Sequence, residues 1–329
     1  MNAVRAAATI AAIGLITGWA RTQNAPSTAT VFGGGASIPG AVSPIQLRLA
    51  PALQSRSVGP SFVKRAHAPA DVFVSDVAFN VVNGFDVKTG EQVEQLTGFS
   101  SPYGLATDAA GDLYVADPGA SVVDVFPPGS TTPSLRLGGN EPTGVAISLR
   151  GDVAVANFGS GAVTFFHAGK SSPYQTLSTP FFAHVTFDAY DEKGNLFVDG
   201  TNAAGLTQVG EARGGGKAGS IVNLEVAGLT SAGGMAVAPG GDYLIVDTPA
   251  DAVNEYTARS HVPVATIPLL QSGSPATMAF TKSGGDFFIA DSVTSVVEEY
   301  PFPAGGNANK FIVVGGEPVG IAVNPRARP

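Results

Sequence analysis

From Asp71 onward the chain is a succession of short apolar runs, each closed off by Gly, Pro, Asp or Asn, which predicts strands joined by tight turns. One stretch shows the pattern in full: Asp112 to Asp117 around Leu113-Tyr114-Val115-Ala116, then Ser121 to Phe126, Ser134 to Leu137 and Pro142 to Ser148. Pro127-Pro128-Gly129 separates the second run from the third, and Gly138-Gly139 separates the third from the fourth. Neither residue type suits a strand interior. Four antiparallel strands in a meander are predicted.

The same unit recurs. Its Asp- or Asn-led strand starts at Asp71, Asp112, Asp152, Asn195, Asp242 and Asp286, at steps of 41, 40, 43, 47 and 44 residues. Periods of this size belong to propeller blades. The fourth unit is stretched by Gly205 to Gly219. The last run of each unit is the most regular, as in Pro102-Tyr103-Gly104-Leu105-Ala106, Pro142-Thr143-Gly144-Val145-Ala146 and Pro318-Val319-Gly320-Ile321-Ala322. Gly233 to Val237 and Pro275 to Ala279 follow it, and Ala183-His184-Val185-Thr186-Phe187 is aligned as the divergent copy. Gly costs about 0.5–1 kcal/mol relative to Ala in a strand, so its recurrence asks for a steric reason, and crowding around a narrow central channel supplies one.

These Pro-x-Gly-Φ-Ala strands, each followed by a Gly-Asp turn and a Tyr-Val-Ala-Asp-like strand, resemble NHL repeats over residues 71 to 325. The wider group includes streptogramin-lyase-like and gluconolactonase-like propellers. The resemblance implies an all-β, six-bladed β-propeller of four-stranded antiparallel blades. Closure follows from phase: the repeats begin on a second-position strand at Asp71 and end on an innermost strand at Pro318 to Asn324. Pairing the C-terminal inner strand with the first repeat completes the sixth blade and removes exposed edges.

Composition narrows the function classes. Gly 42 and Pro 24 against only 13% charged residues suit many short strands and turns, and argue against a helical bundle. A net charge of −8 argues against nucleic acid as a partner, because that affinity comes from Lys and Arg displacing counterions. The absence of cysteine excludes disulfides, thiolate metal sites and cysteine nucleophiles. Residues 1–20 read as a signal peptide, with Arg5, an apolar stretch from Ala6 to Ile16 and a Gly18-Trp19-Ala20 cleavage site. A secreted or periplasmic monomer without a membrane span is expected. Residues 21–70 read as a flexible Ala/Pro/Ser/Gly-rich leader, and 71–329 as the propeller.

Two sets of residues are expected to converge on the channel mouth. Ser101, Glu141, Phe181, Ser231, Ser274 and Glu317 precede or open the inner strands, and Asp76, Asp117, Asn157, Asp199, Asp247 and Asp291 end the strands that follow. Such an acidic mouth could hold a divalent cation such as Ca²⁺, in the manner that the gluconolactonase resemblance implies. The recurring Asp can equally accept backbone N–H groups in turns, and its near-sixfold recurrence favours that role. Glu141 and Glu317 occur in only two units, so they remain candidate metal or ligand residues.

His184 is aligned with the recurrent Gly, which points its ring at the channel axis as a metal ligand or catalytic base, or simply as filling for a divergent blade. Tyr103 and Phe181 are candidates to stack on a carbohydrate, small-molecule or protein ligand at the entrance. Asp188 to Asn195 looks superficially like a calcium loop but lacks the distal bidentate Glu, so it is read as a turn. The expected function is an extracytoplasmic binding module. The alternative is a metal-dependent hydrolase or lyase, lactonase-like or streptogramin-lyase-like, using His184, Glu141 and Glu317.

Overall fold

The computed structural model describes residues 58–64, 70–217, 219–257 and 259–326. The expected signal peptide and residues 21–57 of the expected leader lie outside these described residues. Six antiparallel sheets form a six-bladed β-propeller. Blade 1 closes the ring from both parts of the chain: β25 (Pro318–Val323) is innermost, followed outward by β2 (Val72–Asp76), β3 (Val81–Phe85) and β4 (Gln92–Leu96). The closing register pairs Val74 with Ile321 and Asp76 with Pro318.

The other blades run outward in chain order. Blade 2 holds β5 (Leu105–Thr107), β6 (Leu113–Asp117), β7 (Val122–Phe126) and β8 (Leu135–Gly138). Blade 3 holds β9 (Pro142–Ile147), β10 (Val153–Asn157), β11 (Ala162–Phe166) and β12 (Pro173–Ser178), and blade 4 holds β13 (His184–Tyr190), β14 (Leu196–Thr201), β15 (Thr207–Ala212) and β16 (Val222–Asn223). Blade 5 holds β17 (Ala232–Val237), β18 (Tyr243–Asp247), β19 (Ala252–Tyr256) and β20 (Ala265–Pro268). Blade 6 holds β21 (Pro275–Phe280), β22 (Asp286–Asp291), β23 (Val296–Pro301) and β24 (Lys310–Val313).

The stretch expected as leader is not uniform. Phe62–Val63 forms β1, a fifth strand on the outer edge of blade 1, opposite Gln95 and Glu94. Gln95 Nε2 donates to the Gly59 carbonyl at 3.0 Å, and the Ser61 and Thr97 hydroxyls meet at 2.9 Å. The edge of the blade that closes the ring is thereby covered.

The core is six layers, one between each pair of adjacent blades. Because residues alternate across a strand, Leu113 and Val115 of β6 pack toward blade 1 while Tyr114 and Ala116 pack toward blade 3. Burial on both faces explains why the second strands read as continuous apolar runs rather than strict alternation. The recurrent glycines have the expected steric cause. A Cβ on Gly104 would collide with the Thr143 carbonyl, one on Gly144 with the Thr186 carbonyl, and one on Gly320 with the Tyr103 carbonyl.

Gly320 makes the closure testable. Gly320→Val forces a side chain into the backbone of blade 2 and is expected to cost about 3 kcal/mol, in the upper range of overpacking. Urea unfolding should show a lowered midpoint. An unchanged midpoint would mean that the inner strands are not so closely apposed.

Candidate functional site

In five of the six blades the second strand ends in a carboxylate or amide that grips the loop leading into its own inner strand. Asp117 accepts the amides of Ser100 and Ser101, both at 2.8 Å, and that of Ala120 at 3.3 Å. Asp247 accepts from Thr230 and Ser231, and Asp76 accepts from Glu317 at 3.0 Å as well as from Ala78 and Phe79. Asn157 takes the Asn140 amide at 2.7 Å. Burial alone would raise Asp291, but the Ser272 hydroxyl and the amides of Thr294, Gly273 and Ser274 outweigh it and hold its carboxyl below the ordinary value. The recurring Asp is thus a turn and loop acceptor, the role that its periodicity favoured.

Blade 4 departs from this scheme, and two expectations need correction. Its second strand carries Gly200, not Asp199, at the gripping position: Val185 pairs with Gly200 as Pro142 pairs with Asn157 and Pro275 with Asp291. A Cβ at Gly200 would overlap the His184 carbonyl, so no Asp fits there. Asp199 falls one residue earlier, where the other blades have Ser75, Ala116, Ala156, Val246 and Ala290. The inner strand is likewise shifted by two residues. Asp188 pairs with Val198 as Val145 does with Val155 and Met235 with Ile245. Val185-Thr186-Phe187-Asp188-Ala189 is therefore the Pro-x-Gly-Φ-Ala copy, with a register irregularity between Val185 and Asp188.

His184 consequently does not occupy the Gly position. It sits one residue before the Pro position, beside the other blades' Ser101, Glu141, Ser231, Ser274 and Glu317, and replaces Phe181 in the expected mouth ring. Its ring does not project as a channel filling. It stacks on Phe158 of blade 3 at 4.2 Å, and its Nδ1 lies 2.9 Å from the Phe158 carbonyl. The carbonyl must accept from Nδ1–H, which leaves Nε2 as the basic nitrogen of the neutral ring. Glu141, the neighbouring ring member, is exposed with φ of 49°, and its carboxylate lies against Gly159. Phe181 instead packs on Phe182 at 4.7 Å and on the layer between blades 3 and 4.

Tyr103 and Glu317 form the other side of the mouth. The Tyr103 ring reaches past blade 3 to stack on Phe187 of blade 4 at 5.8 Å, so this pair bridges across the channel. Burial, with Glu317 and Asp199 nearby, pushes the Tyr103 hydroxyl up to about 12. Burial and then Asp76 raise the Glu317 carboxyl. Ring order places Ser101 between Glu317 and Glu141, and among the described residues no three His, Cys, Asp or Glu side chains converge as a metal cluster. The Asp191 carboxylate accepts both the backbone and side-chain amides of Asn195, so the expected turn is confined to 191–195, and Asp188 to Tyr190 belong to β13.

Sequence reasoning gave no role to Phe187 and read Asp188 as the first residue of a turn. Phe187 stands at the position of Gly104, Gly144, Gly234 and Gly320. Asp188 stands at that of Leu105, Val145, Met235, Met278 and Ile321. Both Asp188 oxygens and one oxygen of Asp199 are buried without a hydrogen-bond partner, while the other Asp199 oxygen accepts the Phe187 amide at 3.0 Å. Burial pushes both carboxyls well above their ordinary range, and the charge of Asp199 adds to the effect on Asp188.

No protein-family model matches the chain, and no curated protein matches it. Solved structures do. A protein of unknown function from Bacteroides caccae aligns over 78% of this chain and 98% of its own, with 15% identity and a TM-score of 0.63. A chain of a nidogen/laminin complex aligns over 77% and 97%, with 13% identity and a TM-score of 0.61. A chain of Kuenenia stuttgartiensis hydrazine synthase aligns over 77% and 86%, with 16% identity and a TM-score of 0.59. At these identities the likeness shows the fold alone.

Two predictions follow from the gripping carboxylates and the buried acids. Asp117→Ala strips three amides of their acceptor and should cost about 3 kcal/mol, read as a lowered urea midpoint. Glu94 and Glu298 are both raised to about 7, chiefly by burial, so their favourable contribution is present below 4.5 and is lost as pH rises through 7. Asp291 has the opposite sign: its contribution is lost only as pH falls below the ordinary carboxylate range. Thermal midpoints should therefore peak near about pH 5 and decline toward about pH 8, and Glu94→Gln with Glu298→Gln should flatten that decline. A midpoint that rises across this interval would contradict the assignment.

Proposed function

We propose that this chain is an exported, NHL-like propeller that acts as a binding module, with its ligand site at the channel mouth. The observation that carries the reading is the chemical inequality of one register position: Ser101, Glu141, His184, Ser231, Ser274 and Glu317. The acceptors that grip the loops repeat in five blades, as a device serving the fold should. Ring members that served only the fold would repeat with them.

The geometry suits a ligand offering a flat face and hydrogen-bond donors. Phe158 and His184 give a stacked aromatic surface, Glu141 and Glu317 give carboxylates, and Tyr103 gives a second ring. A carbohydrate or a basic peptide segment has that chemistry, while an anionic ligand would meet like charge. One similar fold was solved in a complex of nidogen with laminin, which supports protein recognition as a use of such a surface. The apolar, positively led N-terminus supports export to the periplasm or beyond.

The test is a glycan and peptide array probed with mature wild-type protein and with His184→Ala, Tyr103→Ala and Glu317→Gln. Binding of at least one array member should fall about tenfold or more in the variants, with thermal midpoints preserved in His184→Ala and Glu317→Gln. Retained binding in all three, or hydrolysis of a lactone that depends on His184, would overturn the proposal.

A further inference from the structure

A second site lies on the propeller axis, separate from the mouth ring. Each of the six innermost strands contributes two consecutive residues to one cavity of about 40 Å³. The volume admits an ion with a water or two, and no organic ligand. Its upper row is Leu105, Val145, Asp188, Met235, Met278 and Ile321, so five blades supply an apolar side chain and one supplies a carboxyl. The remaining positions are mostly bare backbone, with Gly104, Gly144, Gly234 and Gly320. Thr277 is there too, but its hydroxyl already donates to the Val319 carbonyl.

Asp188 is 8% exposed, and neither of its oxygens has a partner. One oxygen lies directly over Gly144, at a point a side chain there would fill. The fold does not require this group, since the equivalent position elsewhere takes Leu, Val, Met or Ile. Burying an unpaired carboxyl in their place is destabilising unless something meets it. The surroundings define what that something is. At four of the six blades the lining residue beside this row is a glycine, so main chain rather than a side chain forms the cavity wall there. One carboxylate among peptide carbonyls and water is an oxygen ligand set for a hard cation.

We propose that the channel cavity binds one hard cation, of the size class of Na⁺ or Ca²⁺, through the carboxylate of Asp188. The site is independent of the mouth reading and stands or falls without it. Chelator-treated mature protein at pH 8 should be melted with NaCl, KCl, CaCl₂ and MgCl₂ in turn, ionic strength held constant. Wild type should gain about 5 °C or more with one of these salts at a hundredfold excess over Kd, and titration should give one ion per chain. Asp188→Leu and Asp188→Asn should lose that response, and Asp188→Leu without added salt should melt above ion-free wild type. Asp188→Asn keeps the shape of the side chain, so the test survives a folding defect in the leucine variant. A wild type that ignores all four salts, or variants that respond as wild type does, would overturn the proposal.

Discussion

The interaction on which the molecule depends is the grip of a buried acceptor on backbone amides at the end of the second strand in five of the six blades. Asp76, Asp117, Asn157, Asp247 and Asp291 each accept an amide from the loop that enters the inner strand of the same blade. This bond meets two needs at once. It satisfies amides that the loop would otherwise bury unpaired, and it fixes where the inner strand begins. The residue immediately before that strand is therefore held at one height on every blade that keeps the grip. A mouth ring of defined geometry is the consequence, whatever side chains the ring carries.

Blade 4 is where that uniformity is given up. Gly200 removes the gripping carboxylate, and the Ala183 amide bonds to the Thr201 carbonyl at 2.7 Å instead. Phe187 replaces glycine, Asp188 replaces an aliphatic residue, and Asp199 replaces a small one. Every change runs against packing: bulk where strands crowd, and acids where burial penalises charge. Five regular blades with well-packed layers can carry one such blade. Departures from local consistency gather here in one place, on the axis and beside the mouth, which is the pattern expected of a functional site.

The repeat, the blade number and the closing of the ring were legible in the sequence, because glycines, prolines and the recurring Asp are punctuation that survives divergence. The candidate site was legible only in part, since its register depends on blade 4, where that punctuation fails. Without Gly or Pro in the inner strand, the divergent copy was set two places out of frame, and Asp199 was counted for Gly200. An interval shared by three blades would have corrected the first error. Seven residues separate Leu105 from Asp112, Val145 from Asp152 and Met235 from Asp242, and the same step back from Asn195 lands on Asp188. In these blades the interval spans one strand end and one tight turn, whose length the hairpin geometry fixes; the longer turn of blade 6 makes it eight, from Met278 to Asp286. The reach of Tyr103 across the channel to Phe187 had no such signal, because it joins blades that are not adjacent.

The corrected register changes what the site can be. With His184 in the ring and its Nδ1 committed to the Phe158 carbonyl, the imidazole is a stationary wall of the mouth offering a single nitrogen. A hydrolase built on Glu141, His184 and Glu317 would need three groups converging on one ion, yet Ser101 stands between the two glutamates around the ring. What the ring offers instead is dispersed: a stacked aromatic face on one side, and a carboxylate beside a tyrosine on the other. Under the proposed binding role, spread contacts of this kind would meet an object as wide as the channel opening, whereas chemistry on one bond requires the groups to meet at a point.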